Sequence, residues 1–232
     1  MAKINGNPFH AIEALVGRVY VVNWRGMIVV RSFPKKSNVP ATAAQQETRE
    51  RFRLISRLLK PLRPVVGRYF GKESGEKAKF NKATSYLMKN AVVRIDGKLE
   101  VDYSKVVVSM GSLPGLEAVR LRQVTQIDLK LEWKPEPGFL PTRQQDKPIL
   151  VVFNQTRNRL DIREGGGKRE DEELVHCLPQ DWFNDTCHLY VMLTNRRTGN
   201  CSVSQYLGSV TPESELSKWN TSGSVAKHIS NA

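Results

Sequence analysis

Residues 149–154 read ILVVFN, with five successive apolar positions before the asparagine. A strand with one wet face alternates apolar and polar residues. An unbroken apolar run of this length suits a strand covered on both faces, at the centre of a sandwich. Downstream, TRNRLDI (156–162) is read as the next strand across a polar turn, and REGGGKRED (163–171) as a flexible surface loop from which ELVHCLP (173–179) leads out. CHLYVMLT (187–194) repeats the apolar run, RRTGN (196–200) supplies a turn, and CSVSQYLG (201–208) closes a last hairpin. Upstream, EPGFLPTRQQDKP (136–148) is a loop. VTQIDLKLEW (124–133) alternates, with Val124, Ile127, Leu129, Leu131 and Trp133 as inward candidates and a phase break between Val124 and Ile127. VDYSKVVVS (101–109) reads as a further strand. Six or so short strands with frequent turns predict an antiparallel sandwich.

The amino-terminal part has another texture. GRVYVVNWRGMIVVRSFPKK (17–36) reads as a hairpin turning at Arg25-Gly26, apolar on both faces and ended by Pro34. A bare hairpin is marginal in water, so this one must pack on the following helix, on the sandwich or on a second copy. Thr42 and Gln45 have the spacing of a capping box, and Phe52, Ile55, Leu59, Leu62 and Val66 recur at helical intervals. Pro61 and Pro64 predict a kink or interruption, which leaves 42–60 as the helix. After the polar link KESGEKAK (72–79), Phe80, Ala83 or Thr84, Leu87 and Ala91 mark a second, shorter helix. At Asp96-Gly97 the period changes from near four to two.

The charge divides at about the same place. The 232-residue chain carries a net charge of +13, and residues 1–99 hold 20 Lys or Arg against 6 Asp or Glu, whereas the remainder is nearly balanced. The expected organisation is therefore a basic hairpin-and-helix region over 1–97, an immunoglobulin-like β-sandwich over 98–210 and a peripheral tail over 211–232. The fold class is α+β.

Several motifs together resemble a family of uncharacterised proteins from Bacteroidetes. They are the opening MAKINGNP (1–8), VVNWRGMIVVRSFPKKS (21–37), NVPATAAQQETRERF (38–52), VDYSKVVVSMGSLPG (101–115), KPILVVFN (147–154) and HLYVMLTNRRTGNCSVSQYLG (188–208). The resemblance implies a domain of unknown function whose carboxy-terminal part is similar to immunoglobulin or fibronectin type III sandwiches. It departs from the family pattern at His10–Ala14 and between Gly115 and Arg122, and it implies no catalytic residues.

Among candidate sites, the basic positions of the first helix lead. Arg49, Arg53 and Arg57 are spaced by four, and Lys60 and Arg63 continue the series. Arg25, Lys35, Lys36 and Trp24 at the hairpin extend a patch able to meet phosphates or a protein partner, with Arg18 and Arg31 as flanks. Trp24, beside the turn, either stacks on a partner or anchors the hairpin. The bland alternative is a solvated helix face on which Glu47 and Glu50 pair with Arg51, Arg53 or Arg57. Chemistry-bearing motifs are weaker. His176-Cys177 and Cys187-His188 are adjacent pairs that an extended chain points in opposite directions, and they lack metal-ligand spacing. No GxSxG elbow occurs, and GGGK at 165–168 precedes acidic residues instead of opening a helix. Three cysteines make no disulfide framework, and no secretory leader or membrane span is read, so a cytoplasmic location is expected. The sequence predicts a noncatalytic structural or protein-interaction protein without cofactor or metal. Its partner is another protein or a second copy and not a membrane; the alternative is a nucleic-acid-associated protein.

Overall fold

The computed structural model describes residues 2–3, 19–24, 27–32, 39–71, 78–134, 145–195 and 197–212. The chain divides into two compact units, residues 1–45 and 46–232. In the first unit, β1 (Ala2–Lys3) and β2 (Val19–Trp24) both pair antiparallel with β3 (Met27–Ser32). The register sets Trp24 opposite Met27, so the expected hairpin is present, and Val29 and Val30 on β3 are buried. Its turn residues Arg25 and Gly26 lie outside the described residues.

Helix α1 runs from Ala43 to Tyr69. The capping box forms as the spacing predicts: the Gln45 amide donates to Thr42 Oγ1 at 3.3 Å, and Gln45 Oε1 accepts from the Thr42 amide at 3.2 Å. Pro61 and Pro64 do not end the helix. Each proline withholds one amide donor, at a cost of about 3 kcal/mol in a helix interior. Leu62, Val65, Val66 and Tyr69 beyond them are buried, and burial of such side chains contributes about 1.5–3 kcal/mol each, enough to carry the helix through. Phe52, assigned to the buried stripe by its spacing, is instead 54% exposed; the stripe begins at Ile55. At the far end the Tyr69 carbonyl accepts from the Met110 amide (3.0 Å) and from Cys201 Sγ (3.1 Å), so a residue outside the helix supplies the missing backbone donor. Helix α2 (Lys79–Asn90) buries Ala83 and Leu87.

Strands β4 (Val92–Ile95) and β5 (Lys98–Val101) form a hairpin whose two-residue turn is Asp96-Gly97. Both turn residues have positive φ, 47° and 80°, as a type I′ turn requires. The change of period at residue 97 is thus a turn inside one unit. The described residues have no seam there, and the division lies at 45/46. Residues 101–109 are not one strand either. After β5 the chain makes a 3-10 turn at Tyr103–Lys105 and then runs extended past the carboxy-terminal hairpin. Ser204 Oγ accepts from the Val108 amide, and Ser109 Oγ donates to the Ser202 carbonyl. Gly111 lies so close to this neighbour that an added Cβ would stand 1.9 Å from the Cys201 carbonyl oxygen.

The sandwich comprises β6 (Glu117–Gln123), β7 (Asp128–Lys134), β8 (Lys147–Asn154), β9 (Arg159–Glu164), β10 (Glu173–Cys177), β11 (Cys187–Thr194) and β12 (Gln205–Val210). One sheet has the order β10-β7-β6 and the other β12-β11-β8-β9, all antiparallel. A three-plus-four Greek-key arrangement of this order is the fibronectin type III variant of the immunoglobulin-like sandwich. Strand β6 was not expected. Val124, expected to face inward, lies in the β6–β7 turn and is 61% exposed.

The central strands explain the two apolar runs. Leu150 and Val152 of β8, with Leu189, Val191 and Leu193 of β11, meet Leu129, Leu131, Trp133 and Leu174 from the three-stranded sheet. Ile149, Val151 and Phe153, with Tyr190 and Met192, point the other way, into a second core built with α1, α2 and the β4–β5 hairpin. The helices are therefore a third layer on the sandwich, and the central strands β8 and β11 are covered on both faces.

Candidate binding surfaces

Arg49, Arg53, Arg57, Lys60 and Arg63 are all exposed along α1. Their spacing of four, four, three and three places them on one helical face, opposite Ile55, Leu59, Leu62 and Val66. At 1.5 Å per residue the series extends about 21 Å. Of the helical pairs open to Glu47 and Glu50, the one with Arg51 forms (2.9 Å), while Arg53 and Arg57 make no ion pair with a described residue. Glu47 also reaches Arg94 (3.2 Å), and the Arg51 hydrogen bond holds its carboxyl below the usual range. None of the five cations makes an ion pair with a described residue; Arg63 lies 6.0 Å from the centre of the Phe80 ring. Phe52 stands exposed beside them.

The hairpin half of the expected patch cannot be joined to this face. Arg18, Arg25, Lys35 and Lys36 lie outside the described residues, as does the Trp24 side chain, although Trp24 ends β2. Arg31 lies on β3 and is half-buried. Other aromatic side chains serve the interior: Trp133, Trp182 and Tyr190 are buried, and Tyr86 is half-buried against the helix-side core.

Both described histidines are buried and hydrogen-bonded, not on the surface. His176 Nε2 meets Asp161 Oδ2 at 2.9 Å, linking the two sheets, and that bond holds the Asp161 carboxyl below its ordinary value. His188 is more enclosed. The Tyr103 ring stacks on it at 3.8 Å with an interplanar angle of 8°. Its Nδ1 lies 3.1 Å from the Tyr206 hydroxyl and its Nε2 2.9 Å from Gln155 Oε1. Because an amide oxygen only accepts, Nε2 carries the proton and Nδ1 accepts from Tyr206. Burial pulls the His188 pKa down to about 4, so the ring is neutral near pH 7. The Tyr190 hydroxyl completes the cluster by donating to the Tyr103 carbonyl at 2.9 Å. Cys177, Cys187 and Cys201 are free thiols; the last two are buried, and burial pushes the Cys187 thiol up to about 12. Among the described residues no three His, Cys, Asp or Glu side chains gather as a metal site, and no helix is long and apolar enough to cross a membrane.

Two of the concave regions that border α1 bear on its cations. One, of about 610 Å³, lies at its carboxy-terminal end, but its cations are engaged: Arg68 pairs with Glu164 at 3.5 Å and Lys79 Nζ donates to the Arg68 carbonyl. The other, of about 570 Å³, lies between the middle of α1 and the sheet, where Arg57, Tyr103, Phe153 and Gln155 meet. The sequence holds little sign of it, because its walls come from residues about 50 positions apart that alternation and spacing cannot bring together.

A protein-family comparison matches residues 11–208 to a family of unknown function, DUF6266. The chain belongs to this family. The match spans α1, α2 and nearly the whole sandwich, which the shared core already makes one unit. A comparison with curated protein sequences finds no match. Among solved structures, the chain is similar to a fibronectin type III domain of human collagen XX, residues 368–466, at 19% identity and a TM-score of 0.33, over 44% of this chain and 94% of that one. A structure described as that of a myokine aligns at 9% identity and a TM-score of 0.34, over 44% of this chain and all of the other. The FN5 domain of Drosophila Lar aligns at 15% identity and a TM-score of 0.31, over 44% of this chain and all of that domain.

Proposed function

We propose that the protein is a noncatalytic binding module and that the outward face of α1 is where an acidic partner protein docks. The observation that supports this reading is the run of five exposed cations, Arg49 to Arg63, without an ion-pair partner among the described residues. Intrahelical pairs stabilise a solvated helix face, and the one that forms here, Glu47–Arg51, involves none of the five cations. Phe52, exposed at the edge of the run, offers the apolar anchor that protein interfaces use at their centres. Three free thiols fit the reducing cell interior in which we place the protein.

The same cations suit a second reading, in which α1 lies along a nucleic-acid backbone and meets phosphates without reading sequence. One experiment separates the two. The full chain is titrated against a peptide of alternating glutamate and leucine and against single- and double-stranded DNA of mixed sequence, at several salt concentrations. Tighter binding of the peptide, weakened by Phe52→Ala, supports the protein partner. Tighter DNA binding, indifferent to Phe52→Ala, supports the phosphate reading. Affinities unchanged by Arg49→Glu, Arg53→Glu and Arg57→Glu together would remove both.

A further inference from the structure

The 570 Å³ cleft between α1 and the sheet has a size typical of small-ligand sites. Its apolar lining comes from Leu54 and Leu58 of α1, Leu99 and Val101 of β5, Tyr103 just after it, and Phe153 of β8. Tyr103 is held flat by stacking on His188 at 3.8 Å, and it lies 6.0 Å from the Phe153 ring at an angle of 25°. The wall is therefore rigid and aromatic.

The polar groups of the cleft are biased toward donation. Gln155 spends its oxygen on His188 Nε2, and the Tyr206 hydroxyl on the other side of the imidazole fixes that arrangement. The Gln155 NH2 group is left as the end of the amide available to the cleft. Arg57 brings five N–H donors and makes no ion pair with a described residue. Asn158, left-handed at φ 52°, also lines the cleft. One carboxylate, Glu100, shares the lining but lies beyond ion-pair distance of Arg57.

We propose that this cleft binds a small organic monocarboxylate with a flat apolar body, its carboxylate held by Arg57 and the Gln155 amide and its body laid against Tyr103 and Phe153. An arginine fork matches a carboxylate in two parallel hydrogen bonds, and a neutral amide donor beside it adds a third without adding charge. The Tyr206–His188–Gln155 chain acts by position: it turns the amide nitrogen outward. The proposal is independent of what docks on the outward face of α1, although Arg57 borders both.

Phenylacetate is the probe, with 2-phenylethylamine as its cationic counterpart, read by calorimetry and by the His188 ring signals in nuclear magnetic resonance. Phenylacetate is expected to bind the full chain with a dissociation constant of about 1 mM or tighter and to shift the His188 signals, while the amine does neither. Gln155→Glu keeps an oxygen for His188 but puts negative charge where the amide donated, so affinity should fall about tenfold or more; Arg57→Gln should do the same. Glu100→Gln should strengthen binding about twofold to fivefold. Arg49→Glu with Arg53→Glu should leave it within about threefold at 0.15 M salt. Absence of phenylacetate binding at 10 mM, equal binding of the amine, or full affinity in Gln155→Glu would each overturn the proposal. Loss in the Arg49 and Arg53 variant with Gln155→Glu unaffected would place anion binding on the outward face and overturn it as well.

Discussion

The two layers that cover the four-stranded sheet bury similar inner faces and present opposite outer ones. On the three-stranded sheet, charges of opposite sign find each other along and across strands. Arg122 pairs with Glu132 (3.4 Å), Lys130 with Glu132 (3.2 Å), and Lys130 with Glu173 (2.8 Å), the last bond being the main reason the Lys130 ammonium is held above its usual range. On α1 the five outward cations outnumber the exposed carboxylate Glu50 and make no ion pair with a described residue. A ladder of opposite charges needs only water beyond it. A row of like charges, kept together by a helix that is itself fixed to a sheet, repels itself and is relieved by an anion. The difference is the reason the proposed partner surface is the helical layer.

The comparison depends first on α1 being a true third layer. Leu62→Ala on the helix side and Leu150→Ala between the sheets both remove fully buried side chains, and each should cost about 2–5 kcal/mol. Chemical denaturation followed by fluorescence and by helical circular dichroism should give one shared transition in both variants. An early separate loss of helix in Leu62→Ala would break the comparison, because α1 would then be a loosely attached element. A smaller loss, about 1–3 kcal/mol, is expected for Gly111→Ala, which forces a methyl group against the Cys201 carbonyl where the chain after α1 meets the last hairpin. Thermal melting checks it.

Much of this architecture was legible in the sequence, for identifiable reasons. ILVVFN and CHLYVMLT are apolar at consecutive positions because both faces of their sheet are covered, and the capping box at Thr42 and Gln45 is a purely local device. What misled was local evidence overruled at a distance. Pro61 and Pro64 do weaken a helix, but the sheet beneath Leu62, Val65 and Val66 holds it. Asp96-Gly97 is a strong turn signal, and it marks a hairpin within a unit as readily as a boundary between units. Strand β6 escaped notice because, at the edge of its sheet, only the half-buried Val119 and Leu121 pack toward the core among Glu117, Arg120 and Arg122. The Arg49–Arg53–Arg57 spacing and the Glu47–Arg51 pair were visible, but the second partner of Glu47 was not, since Arg94 lies on β4. Neither was the cleft: nothing local joins Arg57 to Gln155.

Two smaller effects sharpen the contrast between the layers. On the helix side, His188 is neutral with a pKa of about 4, below the value near 6.5 of an unfolded histidine. Between those values the unfolded chain binds a proton that the folded one refuses, so stability should fall as pH drops from 6.5 toward 4. The slope from this group is at most about 1.4 kcal/mol per pH unit. His188→Phe keeps a ring under Tyr103 and should flatten that part of a stability–pH profile; an unchanged profile would mean that the ring titrates in the fold as it does in the unfolded chain. On the sheet side, Lys130→Met should move the melting temperature by about 2 °C or less, because exposed pairs contribute little. A larger fall would show the ladder to be a structural strut instead of a solvated surface.

The most direct measurement compares two charge reversals of equal size. Arg49→Glu, Arg53→Glu and Arg57→Glu change α1; Arg120→Glu, Arg122→Glu and Lys134→Glu change the exposed three-stranded sheet by the same net charge. Both triple variants and the parent chain are titrated with the alternating glutamate–leucine peptide and with DNA across a range of salt. Loss of salt-sensitive binding in the α1 variant, with the sheet variant close to the parent, is the predicted result. Equal weakening in both would mean that net charge alone attracts the anion and that α1 is no docking face.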